Sequence, residues 1–187
     1  MLSEPVFPSR HRFVEPWVAP STADTDRALA SACQPLVLAF GNVLLRDDGA
    51  GVRLMARLRA ESADASVQYI DGGTMSFSLL PYIEATGALL VIDAADLCAA
   101  PGGLRLLEGA QMDAFLQGGR RRTVHEVGIV DLLDMARLRG CLPQRRALLC
   151  LQPDCIAWGE ALSPAVQEAL PEAATVARGL LRRWAGA

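Results

Sequence analysis

Leu36-Val37-Leu38-Ala39-Phe40-Gly41-Asn42 decides how the rest of the chain is read. Five apolar residues follow one another with no polar residue between them, and Gly-Asn, a turn pair, stops the run. A strand with one wet face would alternate, so a continuous short run implies burial on both faces, as in the middle of a parallel sheet. Downstream, Val52, Met55 and Ala56 fall at helical spacing, and Val67 to Ile70 reads as a second strand stopped by Asp71-Gly72-Gly73-Thr74. Phe77 to Ile83 suits a helix with Pro81 in its middle, and Leu89 to Ile92 a third strand running into Asp93-Ala94-Ala95-Asp96. After the turn Pro101-Gly102-Gly103 come a fourth strand at Leu104 to Leu107, a helix at Val127 to Leu138 and a fifth strand at Ala147 to Leu151. Ser163-Pro164 opens a last helix with Pro171 as a break or restart. Alternating strands and helices predict an α/β sandwich around a mostly parallel five-stranded sheet.

Upstream, Pro5, Pro8, Pro16 and Pro20 punctuate a stretch without sustained periodicity. Residues 1–34 are therefore expected to be an extension, mobile or loosely packed, and residues 35–187 the domain. With 187 residues and 51% apolar composition, one core can be filled. The net charge of −3 leaves no basic footprint for nucleic acid. All 18 basic residues are Arg, which suits a GC-rich bacterial genome. The five cysteines, Cys33, Cys98, Cys141, Cys150 and Cys155, include no C-x-x-C pair and are odd in number. That favours structural thiols in a reducing cytosol over a disulfide framework. No apolar run is long enough to span a membrane and the N-terminus lacks a signal-peptide core, so the expected location is cytoplasmic.

In a parallel sheet, ligands bind beyond the carboxyl ends of the strands. There the sequence places Asn42, Asp47, Asp48, Asp71, Asp93 and Asp96. His125 is the only histidine outside the extension, within Thr123-Val124-His125-Glu126, which fits a capping box. In a helix's first turn the dipole disfavours imidazolium, leaving the neutral, metal-binding form. Two carboxylates and one imidazole make a plausible divalent site with open positions, and such donors suit nickel, zinc or iron without choosing among them. Read singly, each Asp-Gly pair is also an ordinary turn and His125 an ordinary helix-start residue. A serine hydrolase elbow G-x-S-x-G is absent, as is a dinucleotide-binding glycine fingerprint after the first strand. A cysteine hydrolase built on Cys98 or Cys150 stays open at this point. Arg120-Arg121-Arg122 could grip an acidic partner or simply be solvated.

Three segments taken together resemble the hydrogenase maturation proteases, the endopeptidases that process the large subunit of [NiFe] hydrogenases. They are Leu36 through Val52, containing Gly41-Asn42-Val43-Leu44-Leu45-Arg46-Asp47-Asp48-Gly49, then Asp71-Gly72-Gly73-Thr74, then His125-Glu126-Val127-Gly128. The resemblance implies a three-layer fold, a twisted sheet with helices on both faces. It implies that Asp48, Asp71 and His125 bind nickel carried by the immature large subunit, and that a short C-terminal peptide is then removed. It makes Asp48, Asp71 and His125 the candidate catalytic and metal residues of an aspartyl-type peptidase, with Asp47 or Asp93 as further candidates for a general base. The implied partner is the precursor of a [NiFe]-hydrogenase large subunit. The alternative is a nickel-binding assembly protein that docks with the same residues and cleaves nothing. Where the family usually has G-x-G-N, this chain has Ala39-Phe40-Gly41-Asn42, and it has Asp48 where many relatives carry Glu.

Overall fold

A computed structural model describes residues 34–61, 66–73, 77–118 and 126–186. Residues 1–33 of the expected extension, His125, Thr74 and the Arg120–Arg122 run lie outside these residues. Five strands form one sheet: β1 (Leu36–Phe40), β2 (Gln68–Gly73), β3 (Ala88–Ala94), β4 (Leu104–Glu108) and β5 (Arg145–Leu151). Their order across the sheet is β2-β1-β3-β5-β4. The β1–β2, β1–β3 and β3–β5 pairs are parallel, and only the edge strand β4 runs antiparallel, against β5. The helices are α1 (Ala50–Glu61), α2 (Leu80–Ala85), α3 (Ala110–Gln117), α4 (Glu126–Leu138) and α5 (Pro164–Ala185).

The unbroken apolar run of β1 has a direct cause. Leu36, Leu38 and Phe40 point into a core shared with α2, α3 and α4, including Ile83, Met112, Ile129 and Leu132. Val37 and Ala39 point the other way, into a core shared with α1 and α5 through Leu54, Leu58, Val166 and Ala177. Because side chains alternate across a strand, two apolar layers require every residue of β1 to be apolar. All five are fully buried. This is the three-layer α/β sandwich expected.

Several boundaries differ from the sequence reading. Strand β2 does not stop at Ile70 but continues through Asp71-Gly72-Gly73, with Asp71 opposite Ala39 and Gly73 opposite Phe40. The Gly41 N–H donates to the Gly73 carbonyl at 3.0 Å, which keeps the two strands tied past the apolar run. Strand β3 likewise extends to Ala94, so Asp93 is a strand residue facing Cys150 of β5 in register. Pro81 sits in the first turn of α2, where its missing N–H has no partner to lose, and a 3-10 turn at Phe77–Leu79 precedes it. Helix α5 runs on through Pro171 instead of breaking there. Helix α3 was not anticipated. Only Met112, Phe115 and Leu116 of its eight residues are buried, too short a pattern to register as a helix. It is held from outside by Asp113, whose two carboxylate oxygens accept from Nε and Nη2 of Arg146 on β5 at 2.9 and 2.5 Å.

Cys150 is buried in β5, Cys155 is half-buried, and Cys98 and Cys141 are exposed; all four are unpaired thiols. No described helix is long and apolar enough to cross a membrane.

Helix α1 approaches the sheet so closely that position 51 admits no side chain. A Cβ on Gly51 would lie 2.5 Å from the Phe40 carbonyl oxygen and 2.8 Å from that of Ile92. Gly51→Ala is expected to lower stability by about 1–3 kcal/mol, the usual cost of overpacking, measured by urea denaturation with an unchanged m-value.

Candidate functional site

The rim at the carboxyl ends of the strands is built from the turn that follows β1. Gly41 leaves the strand at φ +138°, a conformation few L-residues adopt, and a Cβ there would sit 2.1 Å from the Asp48 carbonyl oxygen. Asn42 then turns the chain by accepting the Leu44 N–H on its own Oδ1 at 3.0 Å. A short 3-10 turn, Arg46–Gly49, places Asp47 and Asp48 at the carboxyl end of the sheet, where both are fully buried.

The two neighbouring carboxylates face opposite tasks. Asp48 reaches back, its Oδ2 accepting the Asn42 N–H at 2.8 Å. Asp47 reaches outward to the segment between β5 and α5. It accepts the N–H groups of Asp154 at 2.9 Å and Cys155 at 3.0 Å on Oδ2, and that of Ser163 at 2.7 Å on Oδ1. Burial pushes the Asp47 carboxyl up, but the N–H groups of Ser163, Cys155 and Asp154, with the Ser163 hydroxyl, outweigh burial and hold it below its ordinary value. A carboxylate with both oxygens committed to backbone donors and a lowered proton affinity is a weak base. Its geometry is that of a clamp.

Asp71 hangs from the neighbouring strand end. It is exposed, and its Oδ1 accepts the Gly73 N–H at 2.8 Å. A continuous relay therefore joins the two family-implied carboxylates. Asp71 holds the Gly73 N–H, the Gly73 carbonyl holds the Gly41 N–H at 3.0 Å, and the adjacent Asn42 N–H is held by Asp48. The sheet register and this relay bring Asp48 and Asp71 to the same edge of the rim. The third member of the expected set, His125, lies outside the described residues, one position before the start of α4.

Asp93 sits one strand further along, 1% exposed, with Oδ1 accepting the Ala94 N–H at 2.8 Å. Its neighbour Cys150 has a thiol that burial, and then the Asp93 charge, push far above the ordinary value. Burial and the neighbouring carboxylate both disfavour the thiolate that a cysteine nucleophile needs. Asp96 accepts the Cys98 N–H at 2.9 Å and shapes the loop after β3. Among the described residues no group of three or more His, Cys, Asp and Glu side chains is arranged to hold a metal ion.

Two contributors were not visible in the sequence. Ser163 was read only as a helix start, and it does cap α5 through Oγ, yet its N–H also anchors Asp47. Gln152 accepts the Leu97 N–H on Oε1 at 2.7 Å and so ties the loop after β3 to β5. Both act across long sequence separations, and no local pattern signals them. The missing first glycine of G-x-G-N falls at Ala39, a buried strand residue with its methyl in the α1–α5 core, next to the register shift that pairs Ala39 with Asp71 and Phe40 with Gly73. A groove of about 870 Å³ lies at the opposite end of the sheet, beside Thr86, Pro143 and Trp184, but none of its lining residues is a carboxylate.

This α/β sandwich with an acidic carboxyl rim is the fold of a class of peptidases. Over 80% of this chain and 93% of the other, it superposes on the hydrogenase maturating endopeptidase HybD of Escherichia coli with a TM-score of 0.74 and 28% identity. It is 38% identical over 151 residues to the hydrogenase expression/formation protein HupD of Rhodobacter capsulatus, covering 80% of this chain and 71% of that protein. The corresponding protein HoxM of Cupriavidus necator is 34% identical over 153 residues, with 81% and 75% covered. A sequence profile of the hydrogenase maturation proteases (HycI) matches residues 52–179. The chain belongs to the hydrogenase maturation protease family and is a peptidase.

The Asp47 clamp yields a pH dependence. Folding favours the ionised carboxylate, so its contribution is complete above the ordinary Asp value of 3.8 and is lost as pH falls through the lowered value. Asp47→Asn is expected to cost about 1–3 kcal/mol at pH 7. In denaturant titrations the gap between variant and wild type should close below about pH 4.

Proposed function

We propose that this peptidase removes the C-terminal peptide from the nickel-loaded precursor of a [NiFe]-hydrogenase large subunit. The nickel arrives with the substrate, and Asp48, Asp71 and His125 complete its coordination. Residues 35–187 form the working domain, with residues 1–34 as an extension, and the reaction takes place in the cytoplasm. The observation that carries this reading is the backbone relay from Asp71 through Gly73, Gly41 and Asn42 to Asp48.

The chemistry follows from the roles of these groups. Two oxygen donors from adjacent strand ends, with one imidazole, leave room in a coordination sphere for ligands the substrate supplies. Only a metal-loaded precursor then gains the full set of contacts, and an empty one is discriminated against by their loss. The relay fixes Asp48 and Asp71 relative to one another before substrate arrives, so little ordering is needed on binding. The nickel would supply a positive charge that polarises the scissile carbonyl or lowers the pKa of a water. Asp47 is committed to three N–H donors, which leaves Asp93, near the carboxyl end of β3, as the other candidate for a general base.

The test is intact-mass analysis of the nickel-loaded large-subunit precursor encoded in the same genome, incubated with wild type, His125→Ala and Asp71→Asn. Wild type is expected to release one C-terminal peptide. Each variant should lose about a hundredfold or more in kcat/KM, above the range typical for an outer-sphere partner. Equal cleavage by all three proteins would remove His125 and Asp71 from the site. Stable binding without cleavage by wild type would favour a docking role for this chain.

A further inference from the structure

The exposed large apolar side chains are unevenly placed. Val43, Leu44, Phe77, Ile156 and Trp158 all follow the carboxyl ends of β1, β2 and β5, while Tyr82, Met135 and Leu138 lie on α2 and α4. Trp158 is 80% exposed and Leu44 46%. An indole left so open is costly in water unless something covers it, and clustered exposed apolar groups mark interaction surfaces.

Four of the five form a ledge whose backbone is stitched together. The Arg46 N–H donates to the Gly159 carbonyl at 2.7 Å and the Gly159 N–H to the Leu44 carbonyl at 2.9 Å, so 43–46 and 156–159 run side by side as a bridge. The Asp47 N–H donates to the Cys155 carbonyl at 3.3 Å, and the Asp47 carboxylate fastens the same segment from beneath. Arg46 is held at φ +51°, with its side chain against Gly159 and Nη1 3.7 Å from the Cys155 Sγ. The protein holds two loops from distant parts of the chain in a fixed arrangement, which presents Val43, Leu44, Ile156 and Trp158 to solvent beside the exposed Arg46.

We infer that this ledge of Val43, Leu44, Ile156 and Trp158 is the docking surface for the protein substrate, and that it receives an apolar segment of polypeptide flanking the scissile bond. The inference rests on the assignment of the Asp48–Asp71 rim as the substrate site. Leu44 and Asp48 belong to one continuous turn, so the ledge adjoins the rim. A peptidase must admit polypeptide at its reacting groups, and a second copy of the chain seated here would shut it out. Rigid presentation reduces the ordering cost of binding, and Trp is among the residues most enriched in energetic hot spots. The metal contacts would then report loading of the precursor, while the ledge supplies affinity for its polypeptide.

The experiment uses the full chain and the nickel-loaded precursor, with Trp158→Ser, Leu44→Ser and, as a control on a remote exposed position, Leu138→Ser. In parallel, a photo-reactive benzophenone amino acid in place of Trp158 captures whatever rests on the ledge. Trp158→Ser and Leu44→Ser are each expected to raise KM about tenfold or more, affecting KM well beyond kcat, with thermal stability unchanged and Leu138→Ser like wild type. The cross-link is expected on the precursor. Unchanged KM in both ledge variants, or a cross-link only to a second copy of the chain, would overturn the inference while leaving the peptidase assignment intact. A cross-link to a precursor that wild type binds but never cleaves would sustain the ledge and overturn the proposed cleavage. Absence of both cleavage and cross-link would overturn the two together.

Discussion

Two adjacent carboxylates, Asp47 and Asp48, are buried at the end of the central strands, and the architecture of the rim depends on how they are satisfied. An ionised carboxylate without partners is among the most expensive groups to remove from water. Each of these two is supplied with backbone N–H donors, from opposite directions. Asp48 closes its own turn through Asn42, and Asp47 draws in the segment leading from β5 to α5. Breaking either set would leave a buried charge short of donors, so the turn and the distant segment hold together or fail together. The same geometry makes Asp47 unsuited to proton transfer and well suited to holding structure.

Above that constraint, the layers divide the labour. The sheet, apolar on both faces, is a rigid platform whose strand ends cannot drift relative to one another. Gly51 lets α1 press against the ends of β1 and β3, and Gly41 lets the chain double back against the Asp48 carbonyl. The rim carboxylates are thereby placed on strand ends and one tight turn instead of on long loops, which favours precise geometry. Burial also separates groups that resemble one another in the sequence. Asp93 and Cys150 pair in register near the carboxyl ends of β3 and β5, where burial pushes the thiol far above its ordinary value. Asp71 stands in solvent on the neighbouring edge.

How far the sequence could be read follows from the range of each signal. The run at Leu36–Phe40 announced a doubly covered strand because apolar periodicity is local. The Asp-Gly motifs announced turns for the same reason, and the combination of three short segments indicated the family. Pro81 and Pro171 misled, since proline's effect depends on its position within a helix and on packing that can carry a helix past it. Helix α3 went unseen because its short apolar pattern is supported by an ion pair to Arg146, 33 residues away. His125 is a reading from the sequence alone, outside the described residues.

The amino-acid order by itself determined the α/β layering, the five strands and the placing of Asp47, Asp48, Asp71 and Asp93 toward the strand ends, because each rests on periodicities and turn chemistry spanning a few residues. Which of those carboxylates is a clamp, which closes its own turn and which stays open to solvent was decided only by tertiary structure. The donors that set these roles come from residues 6 to 116 positions away, and no local pattern encodes a hydrogen bond across such a span. The apolar ledge has the same origin. Leu44 and Trp158 are unremarkable in the sequence and become one surface only when the Leu45–Gly159 bridge lays their segments side by side.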